Sequence, residues 1–309
     1  MLKTSLCVLG SLLLFASHLS AEPASQVFLN GVPTPVFFND GDSFRILEGP
    51  LKGTKARLAG FNTLESYGPV HQWGEWHAKE LYAIAKMATL NARRGVWNCS
   101  SEMDKDTYGR VLFNCLDLAE DQIRKGLAHV MTITIDGGHP RLVAAQKDAI
   151  EKRAGMWAHG VPEYVLTSLH SIDERSNRKY AYNRLVSSKD GHSEKWMHQE
   201  KYQECQTVCE QNIKIDDKNL AKLRSQLAAN VNAKPVLEGS SDAELDHIIK
   251  MWLKTATVAA VIEKRDLKVM KEALLALKSD GYTRASNGSC VVYVDFKRRF
   301  GGDKAKCLK

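Results

Sequence analysis

The chain has 309 residues, a formal net charge of +7 and a hydrophobic content of 44%. This hydrophobic content is enough for a packed core, and nothing in the composition indicates extended disorder. The modest positive charge is compatible with a polyanionic partner without proving one. The length exceeds what one small domain usually needs, so two domains are expected.

The first 21 residues have the layout of a secretory signal peptide. Lys3 precedes an apolar run from Leu6 to Ala16, and a small residue, Ala21, lies at the predicted cut. No later stretch approaches the roughly 20 continuous apolar residues that a transmembrane helix needs. The sequence therefore predicts an exported protein, periplasmic or extracellular, without a membrane anchor in its mature form.

Residues 27 to 61 alternate short β-rich segments with turns, which predicts successive antiparallel strands. Residues 73 to 92 show helical spacing of apolar side chains. Two further strands, RGVWNCS and RVLFNCL, flank a polar loop, and helices are predicted within AEDQIRKGLAHV and HPRLVAAQKDAIEKRAGMWA. This order predicts an α+β fold in which helices pack on a small β-barrel.

The second half of the chain begins with a polar, mixed stretch. Helices are predicted near 193–212, 216–231, 241–262 and 264–280, and SCVVYVDFKRRF is a predicted terminal strand. The expected organisation is a barrel domain at 27–160 and a mostly α-helical, disulfide-linked domain at 165–309. The segment from Phe296 to Lys309 is strongly basic, which indicates either a segment that tracks a nucleic-acid backbone or a solvated tail.

Six cysteines remain after the predicted signal peptide, and an even number in an exported protein predicts three disulfides. Cys99 and Cys115 lie on the two strands that flank the polar loop, so a bond between them is geometrically reasonable. It would close a loop of about 15 residues and stabilise the protein by on the order of 3 kcal/mol.

The other four cysteines are all in the second half of the chain. Cys205 and Cys209 lie four residues apart on a predicted helix and therefore share a face. We expect them to reach across to Cys290 and Cys307 and clamp the C-terminal strand and tail onto the helix. The sequence does not choose between the two crossed pairings, and a zinc site built from the same four residues is an alternative that export disfavours.

Six segments in order resemble the staphylococcal nuclease (thermonuclease) family: NDGDSFRI, ARLAGFNTLES, YGP, DTYGRVLFNC, IRKGLAHV and AGMWA. The resemblance covers roughly residues 30 to 160. It implies an OB-type five-strand β-barrel with packed helices. It also implies Ca²⁺-dependent hydrolysis of phosphodiester bonds in DNA, RNA or both, with a 3′-phosphate and a 5′-hydroxyl as products.

The resemblance also implies a set of oxygen ligands for Ca²⁺, a hard cation. Asp42 corresponds to a carboxylate ligand, Asn62 to a second side-chain ligand, and Thr63 contributes its backbone carbonyl. Asp40 corresponds to a further carboxylate just beyond the direct ligands. The family usually carries an aspartate at the position of Asn62, so this site has one negative charge fewer and we expect it to bind the metal more weakly.

The catalytic residues implied by the resemblance are a glutamate and two arginines. Glu65 corresponds to the residue that positions or deprotonates the attacking water. Arg57 and Arg110 correspond to the arginines that grip the scissile phosphate, a task that suits the guanidinium fork. Tyr108 corresponds to an aromatic residue of the pocket that can stack on a base.

Each of these residues also has an ordinary structural interpretation. The two aspartates can be turn formers, Arg57 a solvated strand residue, Glu65 a surface charge, and Tyr108 part of a hairpin turn. At the level of function, the rival is an OB-type module that binds single-stranded nucleic acid but has lost turnover through Asn62. A third hypothesis makes the C-terminal half a partner-docking domain.

Overall fold

The computed structural model describes residues 25–68, 70–175, 177, 179–259 and 261–308. The predicted signal peptide, residues 1–21, lies outside the described residues. Within the described part, the fold is mixed α+β, with fourteen strands, six α-helices and three disulfides. None of the described helices has both the length and the apolar composition needed to cross a membrane.

Most of the strands lie in the first half of the chain. The strands are β1 (Ser25–Leu29), β2 (Val32–Asp40), β3 (Ser43–Ile46), β4 (Lys55–Leu58), β5 (Phe61–Thr63), β6 (His71–Gln72), β7 (Val96–Cys99), β8 (Val111–Phe113), β9 (Ala128–Val130), β10 (Tyr164–Ser168), β11 (Ala181–Ser187), β12 (Ser193–His198), β13 (Thr207–Ile215) and β14 (Thr283–Val292). The helices are α1 (Ala78–Arg94), α2 (Leu116–Arg124), α3 (Pro140–Glu151), α4 (Asp217–Ala228), α5 (Asp242–Thr255) and α6 (Leu267–Leu275).

The first half is built on a six-stranded sheet in the order β7-β1-β2-β3-β4-β8. Its two edge strands meet through a bridge between Ser100 and Asn114, which exchange backbone hydrogen bonds of 2.9 and 2.8 Å. The sheet therefore curls into a half-barrel. The resemblance implies a sheet of five strands, but this sheet has six. β1 belongs to it because β1 pairs with β2 and also, in parallel, with β7.

The Cys99–Cys115 disulfide is confirmed, and it lies beside this bridge. Cys99 ends β7 and Cys115 follows β8 at the start of α2, and the antiparallel Ser100–Asn114 bridge sets the two cysteines opposite each other across the polar loop, as the sequence suggested. β7 and β8 are also the edge strands of the curled sheet. The bond therefore joins the sheet edges. Phe38, Phe44 and Phe113 are fully buried inside the curl, and their rings make edge-to-face and tilted contacts at centroid separations of 5.3 and 5.2 Å. This core is continuous with α2 and α3.

The second half is not mostly helical. Helices α4, α5 and α6 match three of the predicted helices, but the predicted helix near 193–212 is wrong, because this segment forms β12 and the start of β13. Its Glu, Lys and Gln residues have good helix propensity, yet pairing with β11 and β14 overrides that preference. The expected organisation is corrected to three helices and five strands.

The two halves of the chain share a sheet. β6, from the first half, pairs with β14 from the second half, with His71 opposite Val291 and Gln72 opposite Cys290. The remaining disulfides, Cys209–Cys290 and Cys205–Cys307, hold this region together. Cys209 and Cys290 are directly opposite on paired strands, so the expected clamp exists, but it joins two strands and a tail rather than a helix and a strand.

Candidate active site

The turn between β2 and β3 positions the first two carboxylates. Asp40 Oδ1 accepts hydrogen bonds from the backbone N–H of Asp42 at 3.2 Å and from Ser43 Oγ at 2.7 Å, so Asp40 is indeed a turn former. Gly41 between them has no space for a side chain, because a Cβ there would lie 2.6 Å from Thr63 Cγ2. The close approach of the turn to β5 is what brings Asp42 to the site.

Both carboxylate oxygens of Asp42 have protein partners. Its Oδ2 accepts from the backbone N–H of Thr63 at 2.7 Å and from Thr63 Oγ1 at 3.1 Å, and its Oδ1 forms an ion pair with Arg57. Only 4% of Asp42 is exposed, so this carboxylate depends on those donors for the hydrogen bonds it has lost to water. The residue predicted as a carboxylate ligand is thus buried at the centre of the cluster.

Side chains along β4 alternate between its two faces, and this alternation directs Arg57 into the same cluster. Ala56 and Leu58 are buried in the core, so the side chain between them lies on the opposite face of the strand. Arg57 Nη2 donates to Asn62 Oδ1 at 2.7 Å, in addition to the ion pair with Asp42. The interpretation of Arg57 as a solvated strand residue is wrong.

Asn62 and Thr63, the other two predicted ligands, are hydrogen-bonded to each other. The Asn62 amide donates from Nδ2 to the Thr63 carbonyl at 2.7 Å, and its Oδ1 accepts from Arg57. Both oxygens expected to bind a metal therefore already have protein partners. A cation that used them would have to replace these hydrogen bonds. An aspartate at position 62 could not make the bond to the carbonyl, because an ionised carboxylate has no donor.

Arg110 and Tyr108 come from the loop that precedes β8. β8 pairs in parallel with β4, with Val111 opposite Ala56, so the loop ends near Arg57. Arg110 Nε donates to Asp106 Oδ2 at 2.7 Å, and the ring of Tyr108 lies 5.6 Å from the Arg110 guanidinium carbon. Tyr108 is 64% exposed, as expected for a ring available for stacking.

Asp106 is a site residue that sequence reasoning missed. Its Oδ1 accepts from the backbone N–H groups of Tyr108 and Arg110, both at 2.9 Å, while its Oδ2 orients the Arg110 side chain. Burial opposes its ionisation, but the hydrogen bonds from Arg110 and Tyr108 prevail and lower the pKa of Asp106. The signal was present in DTYGR, since an aspartate two residues before a tyrosine-glycine turn is typical of a side-chain-capped turn.

Burial and a neighbouring carboxylate raise the pKa values of two acids of the site. Burial, then the neighbouring carboxylate of Asp42, raises the pKa of Asp40 to about 7, and Glu65 contributes in the same direction. Burial and Asp42 also raise the pKa of Glu65. Two carboxyl groups with raised pKa values beside a third carboxylate are typical of a site that accepts a cation or transfers a proton.

Arg299 is the second residue that the sequence did not assign to this site. It opposes the rise in the pKa of Glu65, and among the arginines it does so more than Arg57 or Arg110. Its side chain also packs on the backbone of Gly68, three residues after Glu65. Arg299 belongs to the basic C-terminal segment, and no local signal indicates that it folds back onto a loop in the first half of the chain.

The rest of that C-terminal segment is held in place by specific contacts. Arg298 Nε donates to Glu204 Oε1 at 2.9 Å and pairs with Asp303, and Cys307 is bonded to Cys205. The exposed rings of Phe300 and Tyr67 lie 5.8 Å apart, next to Lys86, which is 4.3 Å from the Tyr67 ring centre. The segment is therefore packed beside the site rather than being a free solvated tail.

The residues present fit a hard divalent cation. The donors are carboxylate, amide and carbonyl oxygens, which are the ligands that Ca²⁺ prefers, and the carboxyl groups of Asp40 and Glu65 are partly buried near the carboxylate of Asp42. The hydrogen bonds of Asn62 compete with such an ion. Comparison of the chain with protein-family models gives no match, and comparison with curated protein sequences gives none either.

Proposed function

We propose that the protein is an exported, Ca²⁺-dependent nuclease that hydrolyses phosphodiester bonds of DNA, RNA or both. The observation that carries the proposal is the cluster of Asp40, Asp42 and Glu65 with Arg57, Arg110 and Arg299 at one site. Paired acids beside several arginines are what hydrolysis of a phosphodiester requires, since a base must activate water and fixed positive charge must stabilise the transition state.

In this proposal Glu65 takes a proton from the attacking water. Its raised pKa brings its basicity closer to neutral pH, which makes it a better general base than an exposed glutamate. Asp42 fixes Arg57, and Asp106 fixes Arg110, so both guanidinium groups are held in place before substrate arrives. Pre-oriented donors of this kind stabilise the charge that develops on the phosphoryl oxygens.

Asp42, the side-chain oxygen of Asn62 and the Thr63 carbonyl would hold the metal, with Asp40 beside them. When bound, Ca²⁺ supplies positive charge that polarises the phosphoryl oxygen. Asp42 keeps Thr63 close through two hydrogen bonds, so two of the three proposed ligands are already adjacent. Following the family resemblance, the products are a 3′-phosphate and a 5′-hydroxyl.

Fold and location belong to the same proposal. The six-stranded sheet whose edges meet at Ser100 and Asn114 supports an OB-type barrel, an architecture that binds nucleic acid across its face. Three disulfides support an oxidising compartment, periplasmic or extracellular. The exposed rings of Tyr108, Tyr67 and Phe300 support binding of single-stranded substrate by stacking.

The test is release of acid-soluble nucleotides from single-stranded DNA and from RNA, measured with Ca²⁺, with Mg²⁺ and with a chelator. The proposal predicts release with Ca²⁺ that the chelator abolishes. One observation favours the rival function, a nucleic-acid-binding module without turnover: the oxygens of Asn62 and Thr63 are occupied by internal hydrogen bonds. Tight binding of single-stranded DNA with no release under any metal condition would support that rival.

A further inference from the structure

A second cluster of metal-ligating side chains lies in the C-terminal half. His192, Glu194 and His247 each offer one ligand atom, and the three atoms lie within 4.8 Å of one another. His192 is in the turn before β12, Glu194 is on β12, and His247 is on α5. The cluster therefore connects a sheet to the helix that packs beside it.

The buried carboxylate of Glu194 is the strongest sign that the cluster binds a ligand. Glu194 is 1% exposed, and its Oε1 has no hydrogen-bond partner within the described part of the chain. His247 Nε2 lies 2.7 Å from that oxygen, at ion-pair distance, and His192 Nε2 lies 3.7 Å from it, beyond hydrogen-bond distance. Two imidazole nitrogens thus converge on one buried carboxylate oxygen, which is the arrangement that a shared metal ion would require.

A neighbouring aspartate orients the ring of His192. His192 Nδ1 lies 2.6 Å from Asp190 Oδ1, which leaves Nε2 as the ring nitrogen directed towards Glu194. A carboxylate that orients a histidine in this way is the usual partner of a metal-binding imidazole. The Tyr164 hydroxyl, 3.4 Å from the same Nε2, makes only a long contact with it.

We propose that His192, Glu194 and His247 bind Zn²⁺, with Asp190 as the positioning residue for His192. Two imidazole nitrogens and one carboxylate oxygen are a ligand set that zinc takes up, with a water in the fourth place. Ligands of a tetrahedral zinc ion lie roughly 3.4 Å apart, given bonds of about 2.1 Å, so small side-chain rotations bring the three atoms to that spacing. Both histidines are partly exposed, which leaves room for the water.

The test is titration of the chelator-treated, dialysed full-length mature protein with Zn²⁺ by isothermal calorimetry. We expect one zinc ion per chain. His247→Ala should abolish measurable binding at this site, and Asp190→Asn should lower the affinity by about 10–100-fold. His139→Asn, which removes an exposed histidine of the first half, should bind as wild type does. Circular dichroism of each variant checks that it is folded.

The Co²⁺-loaded protein gives an independent readout, since tetrahedral Co²⁺ absorbs visible light strongly. This absorption should appear in wild type and be lost in His247→Ala. Glu65→Gln separates this site from the proposed nuclease site, because it should leave Zn²⁺ binding unchanged. The proposal is overturned if wild type binds no Zn²⁺, if His247→Ala binds it as tightly as wild type, or if Glu65→Gln is the variant that loses it.

Discussion

Arg299 packs on Gly68, so closely that a methyl group placed on Gly68 would lie 3.0 Å from Arg299 Cδ. Gly68 belongs to the loop that follows Glu65, and Arg299 belongs to the C-terminal segment that the Cys205–Cys307 disulfide holds in place. The second half of the chain thus supplies positive charge to a site whose other residues are all in the first half.

Arg299→Ala should therefore weaken substrate binding. Loss of a charged hydrogen-bond donor to phosphate costs about 1.5–3 kcal/mol, so we expect kcat/KM for single-stranded DNA to fall by roughly 10–150-fold, mainly through KM. Arg298→Ala is the matched control, because Arg298 pairs with Glu204 and Asp303 instead. Equal kcat/KM values for the two variants would exclude a role of Arg299 in the site.

Asn62→Asp should raise the affinity for Ca²⁺. The substitution removes the hydrogen bond from Asn62 to the Thr63 carbonyl and adds a negative charge beside Asp42. We expect the dissociation constant for Ca²⁺, measured by calorimetry, to fall about tenfold, because ligand charge tunes calcium affinity. Asn232→Asp adds the same charge at an exposed position of the C-terminal half and should have no effect. Unchanged affinity in Asn62→Asp would show that residue 62 is not a ligand.

His71 should make the protein less stable in acid. His71 is 2% exposed, and burial, followed by the nearby His129, lowers the pKa of His71 from 6.5 to about 3. Above pH 6.5 the folded and unfolded chains both hold it neutral. Below pH 6.5 only the unfolded chain takes up the proton, so the free energy of unfolding falls as the pH drops toward about 3.

His71→Leu should remove the contribution of His71 to the pH dependence of the free energy of unfolding, which is about 1.4 kcal/mol per pH unit. Between pH 6.5 and 4.5, the free energy of unfolding in urea should then fall by roughly 2 kcal/mol less in the variant than in wild type. His139→Asn serves as the control, since His139 is exposed and asparagine keeps an acceptor at the start of α3. Identical pH dependence of His71→Leu and wild type would contradict the prediction.

Lys254→Met should strongly destabilise the C-terminal half. Lys254 Nζ lies 3.0 Å from Glu210 Oε1 and 2.8 Å from Glu163 Oε2, and Glu210 is 1% exposed. The variant leaves Glu210 as a buried charge without its cation, which should lower the free energy of unfolding by about 3–5 kcal/mol. Lys250→Met, at an exposed position of the same helix, should change it by about 0.5 kcal/mol or less. Similar urea midpoints for the two variants would exclude the buried ion pair.

The site residues of the first half were assigned by the family resemblance, and most of them are close in sequence. Arg57, Asn62, Thr63 and Glu65 lie within one short segment, and a strand pairing next to it brings in Arg110. Helices α4 to α6 were predicted from the sequence. The strand at 193–198 was not predicted. It forms because it pairs with β11, and the composition of the segment does not reveal that partner.

Long-range contacts explain what the sequence did not reveal. Arg299 reaches the site after β14 has paired with β6, and nothing in the basic segment encodes that pairing. His192 and His247 come from a turn and from a helix, so their spacing along the chain matches no metal motif. The sequence also left open which of Cys290 and Cys307 bonds to Cys205 and which to Cys209. The alignment of β13 with β14 places Cys209 opposite Cys290, and that alignment is a long-range contact.

The most direct test of the account is a comparison of wild type and Glu65→Gln in two assays, nucleotide release with Ca²⁺ and affinity for single-stranded DNA. The account predicts Ca²⁺-dependent release by wild type, a loss of about 10²–10⁴-fold in Glu65→Gln, and similar DNA affinity for both, because glutamine keeps the shape of the side chain but cannot accept the proton. Equal release by the two proteins, or no release by wild type with any metal, would contradict it.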